Sequence, residues 1–279
     1  MARRTRKTSS TATSRKGTIP SRPNAAGGSP LFDHWTAVRR RLRSARQLAL
    51  FLDFDGTLAP ICSRPEIVAI TPAMRQAVLR LAAHRRVKVF VVSGRRLPDV
   101  RKRVKVPAVT YLGLHGWERQ KGRPKQTGTR RFIQRLRREV KKKLSSLDGI
   151  WVEDKLISFV VHYRLAPAVA RRRARWELKA ILRKVASRVR VMEGKKVWEV
   201  LPREVEGKGA AVLELLRGMK GRPLPIYAGD DTTDEAAFAA LPDGVTIRVG
   251  KPRPTRARYR LRGPGEVRLF LERLEAEIA

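Results

Sequence analysis

Two aspartates beside a glycine form the strongest candidate for a reactive site in this sequence. They lie in the segment Asp53-Phe54-Asp55-Gly56-Thr57, directly after an apolar run. Because side chains two positions apart on an extended strand point to the same side, both carboxylates could act on one bound group, and Gly56 permits the turn that leaves the strand. A plain Asp-Gly turn without chemistry is the alternative. A calcium-binding hand is excluded, because the ligand spacing fails at Thr57 and no glutamate stands at the required position.

A second acidic segment follows another apolar run, at residues 229–235. Its acidic residues are Asp230, Asp231, Asp234 and Glu235. Threonine and aspartate before a helix also cap free backbone amides, so helix capping is a competing explanation. Carboxylates at a strand end are hard ligands that suit Mg²⁺. If both strand ends face one crevice, Asp53, Asp55 and Asp230 form a cation site.

A phosphate group in that crevice would need hydroxyl and positively charged partners. Ser93 follows another apolar run and offers its hydroxyl together with the amide of Gly94, while Lys208 stands at a helix start. Taken singly, a Ser-Gly turn and a solvated lysine are the more common explanations. The segment Gly207-Lys208 is not a nucleotide-binding P-loop, because Gly209 replaces the required serine or threonine.

The elements that must position these residues alternate between strand and helix. Nearly continuous apolar runs predict buried strands at residues 48–52, 87–92, 224–228 and 245–249. Helical spacing predicts helices at residues 31–46, 72–84, 209–219, 233–240 and from residue 265 onward. Polar residues at the carboxyl ends of such strands are typical of a doubly wound α/β fold with a parallel sheet, in which active sites lie at those ends.

The middle of the chain has a different rhythm. It predicts a helix at residues 130–147, strands at 151–155 and 157–163, a helix at 167–187, and strands at 189–192 and 197–201. This αββαββ order predicts a small α+β layer of mostly antiparallel strands inserted into one α/β domain. We therefore predict a core domain of residues 31–120 and 205–279 and an inserted cap of residues 121–204.

The charge of the chain is strongly positive. Its 279 residues include 63 Lys and Arg, 45 of them Arg, against 25 Asp and Glu, which gives a formal net charge of +38. Such a surplus attracts phosphate polyanions whatever their sequence, so nucleic-acid binding is a competing function. Basic residues occur in every region, however, and a hydrophobic content of 42% suffices for a buried core. Residues 1–30 carry seven basic residues and no acidic one, and we expect a disordered tail that binds polyanions weakly.

Cysteine content and hydropathy indicate the compartment. Cys62 is the only cysteine, which excludes an internal disulfide framework and a zinc site built on several thiolates. No segment approaches the roughly 20 apolar residues that span a bilayer, and we expect no membrane partner. The arginine- and serine-rich start also has the composition of an organellar transit peptide, but it lacks an amphipathic apolar face. A reducing, cytoplasmic setting is the expectation.

The motifs together resemble a known superfamily. Asp53-x-Asp55-Gly56-Thr57, Ser93, Lys208 and Gly229-Asp230-x-x-x-Asp234 occur in the order of the four motifs of the haloacid-dehalogenase-like (HAD) phosphatases. Within that superfamily the chain is similar to the trehalose-6-phosphate phosphatase family. The similarity covers roughly residues 48–271, and its most specific signature lies in the cap, at residues 153–155 and 162–164. Leu201 departs from the pattern, because relatives often have arginine before this proline.

The resemblance implies a two-step, magnesium-dependent phosphoryl transfer through an aspartyl phosphate. Asp53 would be the nucleophile, and Asp55 would protonate the departing sugar oxygen and then deprotonate the attacking water. The groups that would hold the phosphate are Ser93, Gly94 and Lys208, and Thr57 would be a further substrate-binding residue. Those that would bind Mg²⁺ are Asp53, Asp230, the carbonyl of Asp55 and Asp234.

The resemblance also implies that the cap closes over the site and recognises the sugar. Lys155 and Glu199 are the best candidates for contacts with sugar hydroxyls, and Arg95, His115 and Glu118 are candidates for the lip of the site. The implied substrate is trehalose 6-phosphate, and the synthase that makes it is a candidate partner.

Two alternatives stay open at this point. One is a related capped phosphatase that acts on another sugar or glycosyl phosphate. The other is a basic nucleic-acid-binding protein built on an inactive phosphatase fold. Retention of Asp53, Asp55, Lys208 and Asp230 counts against the second alternative, and the cap signature counts against the first, although a fold by itself does not define a function.

Overall fold

The central feature of the fold is a long, almost entirely parallel sheet. The computed structural model describes residues 27–62, 67–119, 127–194 and 196–279. The strands in these segments are β1 (Ser29–Pro30), β2 (Leu48–Leu52), β3 (Val87–Val92), β4 (Thr110–Gly113), β5 (Glu118–Arg119), β6 (Trp151–Asp154), β7 (Phe159–His162), β8 (Val189–Gly194), β9 (Val197–Pro202), β10 (Leu224–Gly229), β11 (Val245–Val249) and β12 (Tyr259–Leu261). The main sheet has the order β1-β12-β11-β10-β2-β3-β4-β5, and its paired strands are parallel except β4 and β5.

Helices cover both faces of this sheet. The helices of the described segments are α1 (Trp35–Ser44), α2 (Pro72–Ala83), α3 (Leu97–Val104), α4 (Thr127–Leu144), α5 (Ala168–Arg183), α6 (Lys208–Arg217), α7 (Glu235–Ala240) and α8 (Pro264–Ile278). Helices α1, α2, α3 and α8 pack on one face of the sheet, and α6 and α7 pack on the other. The protein therefore has the predicted doubly wound α/β core.

Strand β2 lies at the centre of the sheet and is buried on both faces. Leu48, Leu50 and Leu52 belong to the hydrophobic cluster on one face, while Ala49 and Phe51 belong to the cluster on the other. This double burial explains why the strand is apolar at every position rather than at alternate ones. It also places the residue after β2 at the middle of the sheet edge.

A second sheet forms the inserted α+β layer. Its order is β6-β7-β9-β8, and each pair is antiparallel. Helices α4 and α5 cover one face through a cluster that includes Phe159, Val161 and Val200. The elements run in the predicted αββαββ order. The exact cap boundaries stay predictions, because residues 120–126 lie outside the described segments.

A small apolar seam joins the inserted layer to the main sheet. Leu114 from the core packs with Ile157, Leu201 and Val205. Leu201, which departs from the pattern of the resembled family, is 1% exposed and lies in this seam. Its role in the structure is therefore to hold the two layers together.

The amino-terminal boundary differs from the prediction of a tail up to residue 30. Ser29 and Pro30 pair in parallel with Tyr259 and Arg260, and the N–H of Ser29 donates to the carbonyl of Arg258 at 3.1 Å. Ser29 and Pro30 therefore belong to the main sheet and not to a disordered tail. Residues 1–26, on which the rest of that prediction falls, lie outside the described segments.

None of the helices in the described segments is long and apolar enough to cross a membrane.

Candidate active site

Three parallel strands deliver polar residues to one edge of the main sheet. Asp53 follows β2, Ser93 follows β3 and Asp230 follows β10. The backbone N–H of Asp53 donates to the carbonyl of Ala228 at 2.9 Å, which extends the pairing of β2 and β10 up to the site. The two acidic segments of the sequence therefore meet at one place, although they are far apart along the chain.

Lys208 is a buried cation between two carboxylates. Its Nζ donates to Asp53 Oδ1 at 2.6 Å and to Asp234 Oδ1 at 2.7 Å, and its side chain is 2% exposed. Burial alone would lower the pKa of Lys208, but the contacts with Asp234 and Asp53 outweigh that effect and raise the pKa, so the ammonium stays charged. A solvated surface lysine is thereby excluded.

Asp234 is fully buried and accepts hydrogen bonds from three donors. Besides Lys208, it accepts from the hydroxyl of Tyr227 at 2.7 Å and from the backbone N–H of Asp231 at 2.9 Å. Tyr227 is not among the site residues predicted from the sequence. The signal that could have found it is a lone hydroxyl in an otherwise apolar strand, two positions before Gly229. Because both oxygens of Asp234 already have donors, this carboxylate fixes the positions of its neighbours.

Asp53, Asp230 and Asp234 place carboxylate oxygens within 4.8 Å of one another. Burial raises the pKa of Asp53, Lys208 opposes that rise, and Asp234 adds to it. Burial, followed by the charges of Asp234 and Asp231, raises the pKa of Asp230 to about 6. Three carboxylates close to a single lysine leave a surplus of negative charge, which a divalent cation would neutralise. The donor set is oxygen only, and it therefore suits Mg²⁺.

Gly56 allows the first acidic segment to approach the second. Its φ is +77°, and a Cβ at this position would lie 2.2 Å from Asp230 Oδ2. A side chain would therefore be strained by the backbone conformation and would also collide with the carboxylate. A plain Asp-Gly turn would not need this close approach. Gly56 is therefore explained by the contact between the two acidic segments.

Arg95 binds Asp55 rather than lying free at the lip. The guanidinium donates from Nε to Asp55 Oδ2 and from Nη2 to Asp55 Oδ1, both at 2.7 Å, and its Nη1 donates to Asp99 at 3.1 Å. The guanidinium carbon also lies 5.4 Å from the centre of the Phe54 ring. This planar, two-point grip orients the carboxylate that the sequence analysis assigned to acid–base work.

Two hydroxyls lie buried beside the acidic cluster. Within the described residues, Thr57 Oγ1 has no hydrogen-bond partner, although Thr57 is 0% exposed. Ser93 Oγ accepts from the backbone N–H of Arg95 at 3.0 Å. A buried hydroxyl without a partner is costly, and a bound polar group would remove that cost. This unpartnered hydroxyl fits the substrate-binding role expected for Thr57.

His115 connects the core to the inserted layer. Its backbone N–H donates to the carbonyl of Ser93 at 2.9 Å, and its Nε2 lies 3.9 Å from Glu199 Oε2. A Cβ on Gly94 would lie 2.8 Å from the ring, so this glycine makes room for the imidazole. Burial lowers the pKa of His115 to about 4, although Glu199 opposes the shift. The ring is therefore neutral at pH 7.

The two predicted sugar contacts come from different parts of the inserted sheet. Glu199 on β9 accepts from the hydroxyl of Ser158 at 2.8 Å, and its side chain is 14% exposed. Lys155 lies half-buried in the turn between β6 and β7, and its charge acts on His115. Both residues therefore lie near the buried histidine at the junction with the core.

Glu118 has a role that the sequence analysis did not predict. Its Oε2 accepts from the backbone N–H of Leu97 at 2.6 Å, at the first residue of α3. A carboxylate at this position satisfies a free amide and interacts favourably with the helix dipole. The structure thus gives the carboxylate of Glu118 a capping role. A contact between Glu118 and a sugar stays a prediction.

The carbonyl of Asp230 is also held in place. Arg248 Nη1 donates to this oxygen, and Arg253 Nη2 donates to it at 2.8 Å. Arg248 is 4% exposed. Neither arginine was selected from the sequence, because in a chain with 45 arginines their positions carry no signal. They orient the backbone of the second acidic segment.

Comparison with known proteins gives this arrangement a family context. A family model described as trehalose-phosphatase matches residues 51–264. The trehalose 6-phosphate phosphatase RA3 of Zea mays is 33% identical over 255 residues, which make up 82% of this chain and 70% of that protein. The trehalose-phosphate phosphatase of Mycobacterium tuberculosis is 36% identical over 251 residues, or 84% of this chain. The match spans 63% of that mycobacterial relative, somewhat less than two thirds of its length.

A solved structure shows the same architecture. The trehalose-6-phosphate phosphatase of Aspergillus fumigatus superposes with a TM-score of 0.68 at 25% sequence identity. The superposition covers 89% of this chain and 99% of that chain, so both the main sheet and the inserted layer have counterparts there.

Proposed function

Because the chain belongs to the trehalose-phosphatase family, we propose that it hydrolyses trehalose 6-phosphate to trehalose and inorganic phosphate. The observation that carries the proposal is the buried Asp53–Lys208–Asp234 arrangement at the carboxyl edge of the sheet. Such a charged cluster is expensive to bury and is explained best by chemistry on a phosphate ester.

In the first proposed step, a carboxylate oxygen of Asp53 attacks phosphorus. A bond forms between this oxygen and phosphorus, and the bond between phosphorus and the sugar oxygen breaks. Asp55 donates a proton to the departing oxygen. Lys208, whose Nζ lies 2.6 Å from Asp53 Oδ1, holds the nucleophile and compensates negative charge on the phosphate.

In the second proposed step, Asp55 accepts a proton from water, and the water oxygen attacks phosphorus. The bond to Asp53 breaks, which releases phosphate and restores the aspartate. Arg95 supports both steps by fixing the orientation of Asp55 through its two hydrogen bonds of 2.7 Å. The free hydroxyl of Thr57 and the hydroxyl of Ser93 would donate to phosphate oxygens.

The oxygen donors of the site also fit a magnesium ion. Asp53, Asp230 and the carbonyl of Asp55 would hold Mg²⁺, and Asp234 would keep the carboxylates and Lys208 in position. When bound, the ion would supply positive charge that reduces repulsion between the phosphate and the carboxylates. The separate contacts of Arg248 and Arg253 with the Asp230 carbonyl support the rigidity that such a site requires.

Recognition of the sugar is proposed to come from the inserted layer. Lys155 offers hydrogen-bond donors and Glu199 offers acceptors, near the junction marked by His115. Closure of this layer over the core would exclude water from the phosphate. Association with the synthase that makes the substrate, and a cytoplasmic setting, remain predictions of the sequence, and co-elution of the two purified proteins would test the first.

The decisive experiment measures phosphate release from a panel of sugar phosphates, with added Mg²⁺ and with a chelator. We expect the highest kcat/KM for trehalose 6-phosphate, and loss of activity on chelation that is restored by added Mg²⁺. The Asp53→Asn variant controls for contaminating phosphatases. A higher kcat/KM for sucrose 6-phosphate or glucose 6-phosphate would favour the related capped phosphatase. Absence of hydrolysis across the panel would contradict the enzymatic proposal.

A further inference from the structure

The outer face of the inserted layer consists of two neighbouring helices. Helices α4 and α5 bury residues such as Ile133, Val140 and Leu178 against the cap sheet, together with Phe159. Their opposite sides therefore point to solvent. We call the exposed side chains of α4 and α5 the cap-helix face.

The cap-helix face carries a dense positive charge. Helices α4 and α5 together contain 14 Lys and Arg but only two acidic residues, Glu139 and Glu177. On α4 the exposed cations follow helical spacing, so that they form a row along one side. This row consists of Arg131, Arg135, Arg138 and Lys142. With a rise of about 1.5 Å per residue, successive members are about 4.5–6 Å apart along the helix axis.

An exposed aromatic residue lies within this charge on α5. Trp176 is 68% exposed, and on its stripe of the helix lie the exposed side chains of Arg172, Arg173 and Arg183. A tryptophan this exposed does not contribute to the core. Arginine outnumbers lysine by ten to four on the two helices, and the planar guanidinium matches phosphate oxygens better than an ammonium does.

We propose that the cap-helix face binds single-stranded nucleic acid. The row on α4 and three arginines of α5, Arg172, Arg173 and Arg183, contact the phosphates, and Trp176 stacks on an unpaired base. Charge complementarity carries this choice, because a polymer with one negative charge per nucleotide is the partner that matches a row of closely spaced cations. The stacking ring accounts for the exposed tryptophan, and such stacking tolerates any base sequence.

An anionic membrane surface explains the same residues less well. Along α5, the exposed apolar side chain on the stripe of Trp176 is Val169, and Arg172 and Arg173 lie between the two. The stripe therefore has no continuous apolar face to insert into lipid.

The proposed binding goes beyond the hydrolytic function and does not compete with it. Glu199 alternates along β9 with Trp198 and Val200, which point into the cluster under α4 and α5. Because successive residues of a strand point to opposite faces, Glu199 faces away from the cap-helix face. Both ligands could thus be bound together.

The test uses the full chain and a fluorescein-labelled, mixed-sequence 20-nucleotide RNA, with binding followed by fluorescence anisotropy. The first variant combines Arg131→Gln, Arg135→Gln and Arg138→Gln. We expect about tenfold weaker binding, and a log–log salt slope reduced by about 2, since each lost phosphate contact contributes about 0.7. The control combines Arg85→Gln, Arg101→Gln and Lys102→Gln, three exposed cations of the core, and should lose less than about threefold.

A second variant, Trp176→Ala, tests the stacking contact. It should weaken binding of the single strand by about fivefold or more and leave binding of a duplex of the same sequence nearly unchanged. Because all substituted residues are exposed, circular dichroism and phosphatase activity should stay at the level of the unsubstituted protein.

Three results would overturn the proposal. The first is an equal loss of affinity in the cap-helix and core variants, which would reduce the effect to net charge. The second is no binding of the RNA at 150 mM salt. The third is tighter, Trp176-dependent binding to vesicles containing 30% phosphatidylserine, which would identify a membrane surface as the partner.

Discussion

Arg95 grips both carboxylate oxygens of Asp55, with two hydrogen bonds of 2.7 Å. The arginine is itself held from the other side by Asp99, which in turn binds Arg103 at 2.7 Å. The proposed acid–base residue is therefore anchored through a chain of charged contacts that runs from Asp55 through Arg95 and Asp99 to Arg103. This arrangement gives Arg95 a positioning role.

Replacement of Arg95 by lysine should show whether Arg95 acts by orienting the Asp55 carboxylate or only by its positive charge. Lysine keeps the positive charge but loses the planar grip, so we expect kcat to fall about tenfold while KM changes little. Steady-state kinetics with trehalose 6-phosphate give both constants. Arg96→Lys, at the exposed neighbouring position, is the matched control and should leave both constants unchanged. A rise in KM alone would instead indicate direct substrate binding by Arg95.

The two aspartates of the first segment should fail in different ways. Asp53→Asn removes the attacking oxygen, so we expect neither turnover nor covalent phosphate after rapid quenching. Asp55→Asn keeps the nucleophile but removes proton transfer, so both chemical steps should slow by roughly 100-fold or more. Mass spectrometry of quenched samples distinguishes the two variants. Phosphate found on an Asp53→Asn protein that still turns over would contradict the assignment of the nucleophile.

Tyr227→Phe tests the support beneath the site. The hydroxyl donates to fully buried Asp234 at 2.7 Å, and its loss leaves that carboxylate with fewer donors. We expect the free energy of unfolding in urea to fall by about 1–3 kcal/mol. Tyr259→Phe removes a hydroxyl from a partly buried position in β12 and should change it by less than about 0.5 kcal/mol. An equal loss of unfolding free energy in both variants would contradict a stabilising role for the hydrogen bond from Tyr227 to Asp234.

The buried histidine should make stability depend on pH. Because burial lowers the pKa of His115 from 6.5 to about 4, the unfolded chain binds a proton between these values that the folded protein does not bind. The free energy of unfolding should therefore fall as pH is lowered from 6.5 to 4, by up to about 3 kcal/mol from this group.

His115→Asn should remove this contribution, since asparagine tolerates the φ of 58° at this position. Urea unfolding of both proteins at several pH values gives the difference in slope. Thr36→Asn, an exposed position at which no titrating group is added or removed, should keep the slope of the unsubstituted protein. Parallel curves for His115→Asn and the unsubstituted protein would contradict the prediction.

Alanine at Lys155 or Glu199 should affect one class of substrate only. We expect kcat/KM for trehalose 6-phosphate to fall about tenfold or more, because an unmet polar group in a closed site costs roughly 1–3 kcal/mol. Activity on para-nitrophenyl phosphate, which lacks the sugar, should persist. Equal losses on both substrates would point to damaged folding or closure rather than to lost recognition.

The parts of the fold that the sequence predicts are those with a strong local signal. Strands β2 and β3 match their predicted bounds because central parallel strands are apolar on both faces. The sequence does not predict β12, which consists of Tyr259, Arg260 and Leu261 and lies between β11 and the two-residue edge strand β1. Helix α3 also has a weak signal, because only Val100 and Val104 of its eight residues are buried.

The acidic and basic members of the site follow from spacing, but their partners do not. Asp53 and Asp55 stand two positions apart, whereas Arg95 reaches Asp55 across 40 positions and Lys208 reaches Asp53 across 155. Such pairs depend on how strands are ordered in the sheet, which local pattern does not encode. The capping role of Glu118 cannot be predicted from local sequence either, because its partner is the backbone N–H of Leu97 at the start of α3.

Strand β2 pairs with β10 at the middle of the sheet. The sheet therefore cannot be completed until late in the synthesis of the chain on the ribosome. At about 5–20 residues per second, roughly ten to thirty seconds separate the synthesis of β2 from that of β10. During this interval one edge of the apolar strand β2 has no neighbour, while the inserted layer, whose contacts are mostly internal, can already fold. The nascent chain thus exposes a hydrophobic strand edge of the kind that chaperones protect, and Asp53 gains its contact with Lys208 only after most of the polypeptide has been made.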